Sequence, residues 1–219
     1  MVDFQSRDTS RGLDDEEDDE DDIEETGADE TASEEATTDD ETASEEADSA
    51  TESSGADEFG PETLPYAVVT VENGGRVETD ATGAAVVDAI EHAGDAVSTR
   101  ELIAPSYDGV QSTLGTLAGR DDVAAIVTLG GTGISPDDVT VDAAEPLFDK
   151  RLPGFGELYR VLSHDFDGTA VVRTRATAGI VDGVPVFCLP DDTAGARRGV
   201  EQIVLEEADT IAAEAEQGE

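Results

Sequence analysis

The sequence predicts an α/β domain built on a mainly parallel sheet with helices on both faces. Two observations carry this. Short, nearly continuous apolar runs at 66–71, 123–129 and 184–189 have the composition of strands buried on both sides. Segments with apolar residues at helical spacing lie between them, and strands alternating with helices imply parallel crossover units.

In chain order, 66–71 is the first strand. A helix over 83–93 follows, with Gly94 as its stop. Residues 95–104 read as a second strand, 108–118 as a second helix and 123–129 as a third strand. A helix over 136–149, broken or continuous, and another over 156–162 come next. Residues 169–173 and 184–189 read as further strands. A long helix from Thr193 to about Ala215 closes the chain, with Val200, Ile203, Val204, Ala208 and Ile211 on one side. Ligands of such sheets bind beyond the carboxyl ends of the strands, so the turns after Val71, Leu129 and Leu189 are the ones to inspect.

Charge divides the chain differently. Of 219 residues, 55 are acidic and 12 basic, for a formal charge of −43. Roughly half of the acidic residues fall in 1–62, opposed only by Arg7 and Arg11. That stretch has too little apolar surface to offset the entropy of ordering, which predicts a disordered acidic tail ahead of one domain over 63–219. The motif Glu-Thr-Ala-Ser-Glu-Glu-Ala begins at Glu30 and again at Glu41 without an apolar face to stack, so it reads as low-complexity expansion. Lys150 is the sole lysine. An acidic surface with so little lysine suits a high-salt cytoplasm. Nucleic-acid binding, which needs clustered Lys and Arg, is not expected. Neither a membrane span nor an apolar signal region is seen, so a cytoplasmic location is expected. Cys188, the one cysteine, lies in an apolar run and reads as a buried core residue.

The strongest local signal is Val127-Thr-Leu-Gly-Gly-Thr-Gly-Ile-Ser-Pro-Asp-Asp-Val-Thr140. A buried strand enters Gly130-Gly131-Thr132-Gly133, whose small residues let peptide N–H groups approach an anion. Ser135 as N-cap and Pro136 as first helical residue would aim a helix N-terminus at the same loop. A tight structural turn explains the glycines equally well. Asp137 and Asp138 fit either Mg²⁺ held beside phosphates or an acidic helix start. His92 and His164 have no partners that would make a zinc set.

Taken with Asp138-Val-Thr140 and Leu147-Phe-Asp-Lys-Arg-Leu-Pro-Gly-Phe-Gly-Glu-Leu-Tyr-Arg-Val-Leu-Ser163, this loop resembles the MogA/MoaB family of molybdenum-cofactor proteins. Asp80-Ala-Thr-Gly83, Arg175-Ala-Thr-Ala-Gly179 and Phe187-Cys-Leu-Pro190 resemble further family segments, and the likeness runs from Leu64 to about Glu207. The resemblance implies a homotrimer that binds molybdopterin and adenylylates it with ATP and Mg²⁺, releasing pyrophosphate. It implies that Gly130, Gly131, Thr132, Gly133, Ser135, Glu157, Thr174 and Arg175 bind substrate. Asp80 and Gly83 would lie near the nucleotide, and Asp138 would assist Mg²⁺ and catalysis. The metal-insertion protein of the same pathway is an implied partner.

Three departures bear on catalysis. Ser106 follows Pro105 where active members often carry a carboxylate, which leaves Asp108 as the candidate two places on. Thr174 stands for a serine. Asp191-Asp192 replaces a Gly-Ser pair in the last loop, where carboxylates would repel a phosphate. A pterin-binding assembly protein without turnover is therefore the opposing reading. A third is an interaction hub built on the acidic tail.

Overall fold

The computed structural model describes residues 63–216; the predicted acidic tail, 1–62, lies outside the described residues. Strands β1 (Pro65–Val71), β2 (Ala96–Ile103), β3 (Ala125–Leu129), β4 (Lys150–Arg151), β5 (Thr177–Val181) and β6 (Val184–Leu189) form one sheet in the order β2-β1-β3-β6-β5-β4. The first four in that order run parallel, while β5 is antiparallel to β6 and β4 to β5. The sheet is thus mixed, with a parallel centre.

Alternation along the central strands explains their apolar composition. Tyr66 and Val68 of β1, Val127 and Leu129 of β3, and Phe187 and Leu189 of β6 face one core. Helices α1 (Ala81–Ala93), α4 (Pro153–Asp167), α5 (Thr193–Gly199) and α6 (Leu205–Glu216) cover it, through Ile90, Phe155, Tyr159, Ala196 and Ala208 among others. Ala67, Val69, Ile126, Val186 and Cys188 face the opposite core, under α2 (Tyr107–Ala118) and α3 (Thr140–Ala144). Strands β1, β3 and β6 therefore bury both faces. A π-helical turn, Val200–Val204, joins α5 to α6, so the predicted closing helix is continuous with one local bulge.

Three expectations need correction. Residues 169–173 form no strand; Gly168–Arg173 is a 3-10 segment, and the β-branched Val172 is 79% exposed, with no sheet partner to favour extension. The helix expected over 136–149 shrinks to α3. The Asp138 carboxylate takes the N–H of Ser135 at 2.7 Å and closes 135–138 as a turn, so Ser135 caps no helix and Pro136 starts none. Strands β4 and β5 are additions to the expected set. They enter through a hairpin whose two-residue turn, Asp182-Gly183, has both φ angles positive (48° and 84°).

Candidate functional site

The turns after β1, β3 and β6 meet at the carboxyl edge of the sheet. Gly130 at φ 96° donates its N–H to Leu189 O at 2.9 Å, and a Cβ there would stand 2.6 Å from Val71 O and 3.3 Å from Asp191 Cβ. Only glycine fits where three backbones come this close. Gly131 follows at φ 66°, with the buried Thr140 hydroxyl where its Cβ would be.

The next residues set the loop's polarity. Thr140 N donates to Gly131 O, and Arg175 N donates to Thr132 O at 2.7 Å. The Arg175 Nε donates to Gly133 O at 2.7 Å and Nη2 to Asp138 O, while Nη1 donates to both carboxylate oxygens of Asp142 at 2.9 Å. Carbonyls are thus held on the Arg175 side. The N–H groups of Gly131, Thr132, Gly133 and Ile134 donate to no acceptor among the described residues. Successive unpaired peptide N–H groups are the donors from which anion-binding nests are built.

A cavity of about 330 Å³ opens beside this loop, lined by Thr132, Gly133, Tyr159, Ser163, Arg173 and Asp192 among others. That volume is at the low end of small-molecule sites. Thr174 also lines it. On the loop's other side, Ile134, Ser135, Asp138, Asp142 and Arg175 line a second hollow of about 370 Å³. Glu157 lies elsewhere, exposed on α4, in a hollow shared with Arg160 and Arg175.

Asp80 and Gly83 build the α1 N-terminus. The Asp80 side chain caps the helix through Gly83 N (2.7 Å), accepts from Thr70 Oγ1 (2.7 Å) and pairs with Arg100 (3.0 Å), all while buried. A Cβ on Gly83 would collide with that carboxylate. Both residues are therefore committed to the scaffold next to the β6 turn, where Thr82 and Thr193 hydroxyls meet at 2.8 Å. Ser106 caps α2 through Gly109 N, and Asp108 lies exposed in that helix's first turn, outside the residues lining the loop's two hollows.

The Asp191-Asp192 pair divides in role. Asp192 caps α5 by accepting from Gly195 N at 2.7 Å. Asp191 is exposed as a residue, but partial desolvation of its carboxyl pushes it above its ordinary value; Asp80 and Asp192 add repulsion, and a hydrogen bond from Thr82 offsets part of it. No group of three or more His, Cys, Asp or Glu close enough to hold a metal exists among the described residues. Sequence reasoning missed Tyr159, Ser163 and Arg173 as cavity residues. The first two look like ordinary helix positions, and Arg173 ends a stretch that reads as a strand.

Fold and site define an α/β ligand-binding domain whose glycine-rich turn lies at the carboxyl edge of the sheet. The family described as "Probable molybdopterin binding domain" matches residues 60–210. Molybdenum cofactor biosynthesis protein B of Halalkalibacterium halodurans is 35% identical over 148 residues, covering 67% of this chain and 87% of the relative. A crystal structure of a molybdenum cofactor biosynthesis protein B superposes with a TM-score of 0.69 at 30% identity, covering 72% of this chain and 99% of that one. The tungsten cofactor synthesizing protein MoaB from Pyrococcus furiosus gives 0.64 at 32% identity, covering 71% and 99%. The chain belongs to the MoaB/MogA-type family of molybdenum cofactor biosynthesis proteins. None of its described helices is long and apolar enough to cross a membrane.

Proposed function

We propose that the protein binds molybdopterin and transfers AMP from ATP to its terminal phosphate, with pyrophosphate as the leaving group. The observation that carries this reading is the row of unpaired N–H groups from Gly131 to Ile134, set between two hollows. Adenylyl transfer is an in-line displacement, so the protein's task is to hold two anions in line and neutralise charge. Peptide dipoles fixed before the ligand arrives do this without reorganisation. Asp138 stands against Gly133 on the second hollow, while the other carboxylate there, Asp142, is paired with Arg175. Mg²⁺ commonly takes one or two protein carboxylates and completes its shell with phosphate oxygens and water, which suits a single Asp138. Bound there, the ion would supply charge neutralisation between phosphates.

The assembly is proposed to be a trimer working in the cytoplasm, and the pterin chemistry would be the same on a molybdenum or a tungsten route. A second reading, pterin binding without turnover, is favoured by one observation: Asp192 lines the cavity beside Thr132 and Gly133, where a negative charge opposes a phosphate. Incubating the protein with molybdopterin, ATP and Mg²⁺ in high salt, followed by mass analysis, separates the two. Adenylylated pterin supports the transferase, and stoichiometric bound pterin without product supports the binding protein. Absence of pterin binding contradicts both.

A further inference from the structure

Arg175 reads from sequence as a substrate-binding cation, but its geometry is that of a clamp. Its Nε, Nη1 and Nη2 all donate to protein acceptors: Gly133 O, the Asp142 carboxylate and Asp138 O. Its own peptide N–H is spent on Thr132 O. One residue therefore ties down both ends of the 133–138 turn and fixes the carbonyl side of the loop. Peptide planes held by their carbonyls on one side present their N–H groups on the other, which is where those of Gly131 to Ile134 are unpaired.

Asp142 decides whether that arrangement persists. It sits in the first turn of α3 and is the one carboxylate that Arg175 reaches among the described residues, its two oxygens sharing Nη1. A charge-assisted contact from one nitrogen to a carboxylate anchors that edge of a guanidinium as well as neutralising it. We propose that Asp142 and Arg175 are a positioning pair that holds the glycine-rich loop in its anion-accepting conformation, and that Arg175 does not itself contact the ligand. This rests on the reading of the loop as the ligand's anion site.

The two roles for Arg175 demand opposite behaviour from Asp142. In the positioning role, Asp142→Asn loosens the guanidinium and degrades the loop, so affinity falls. In the direct role, the same change frees a cation for the ligand, so affinity holds or rises. Arg175→Lys keeps the charge but cannot span three acceptors.

The test measures molybdopterin affinity and amide hydrogen exchange for wild type, Asp142→Asn and Arg175→Lys. Charge-assisted bonds of this kind correspond to about tenfold in an equilibrium. The expected result is about tenfold weaker molybdopterin binding in both variants and about tenfold faster exchange of the bonded amides that close the loop, those of Ser135, Thr140 and Arg175, with α1 exchange unchanged. Unchanged or tighter binding by Asp142→Asn, or unchanged loop exchange, overturns the proposal. The exchange measurement needs no ligand. A wild type that binds no molybdopterin would therefore count against the function proposed above, while the exchange data would still decide the clamp.

Discussion

Asp80 and Arg100 pair at 3.0 Å between the α1 N-terminus and strand β2, with the Asp80 side chain 3% exposed and that of Arg100 21%. The same carboxylate accepts from Thr70 and Gly83, so one side chain links β1, β2 and α1 directly below the site. Asp80→Ala strands a guanidinium and removes a helix cap. It should cost about 3 kcal/mol and lower Tm by roughly 6–10 °C, measured by thermal denaturation.

The same group sets an acid response. Burial would raise the Asp80 carboxyl, but bonds from Thr70, Gly83 and Arg100 outweigh it and hold the group below its ordinary value of 3.8. A depressed carboxyl stabilises fully above its unfolded value and loses that contribution as pH falls through the folded one. The stability advantage of wild type over Asp80→Asn should therefore shrink below pH ~4 in denaturant titrations.

Asp191 should respond in the opposite direction. Its carboxyl is raised, mainly by partial desolvation, so the neutral form is favoured in the fold and the penalty on the charged form appears as pH rises. Asp191→Asn should stabilise the protein at neutral pH, with the gain vanishing at acid pH where both side chains are neutral. If Asp191 also repels the bound phosphate, the variant should bind molybdopterin roughly fivefold more tightly, read by equilibrium titration.

Two glycines should diverge. Gly131→Ala drives a methyl group into the Thr140 hydroxyl from a residue already at φ 66°, and should destabilise by about 1–3 kcal/mol and abolish ligand binding. Gly115, exposed inside α2, has open space where a methyl group would stand, with nothing within 4 Å. Gly115→Ala should instead stabilise by about 1 kcal/mol, so a pair of melting curves distinguishes site glycine from helix glycine.

Cys188 should be silent. It is fully buried on β6, and burial pushes its thiol up to about 11. A thiol reagent at neutral pH should label it at the rate of unfolding, and rapid labelling of native protein would contradict its burial.

The central sheet is legible in the sequence because β1, β3 and β6 bury both faces, which leaves an unbroken apolar run in each. The Gly130–Gly133 loop is legible for a related reason, since close backbone approach leaves no alternative to glycine at 130 and 131. The β4–β5 edge is not. Its Gly179 accommodates the Phe148 ring, which breaks the apolar pattern, though Asp182-Gly183 between Val181 and Val184 is a hairpin signal that would have found it. The absence of a full helix over 136–149 depends on a local bond, Ser135 N–H to Asp138, and on Arg175, 37 residues further on, whose guanidinium holds Asp138 O and lies beyond any local pattern. That Asp80 is buried and paired with Arg100 is likewise a tertiary fact that no local pattern carries.

The most direct measurement is pyrophosphate release from ATP with Mg²⁺ in high salt, with and without molybdopterin, for wild type and Asp138→Asn, whose amide oxygen can still accept from Ser135 N. The account predicts release that depends on pterin and falls about 100-fold in the variant while pterin affinity is kept. Tight pterin binding with no release from wild type, or release indifferent to Asp138, would contradict it.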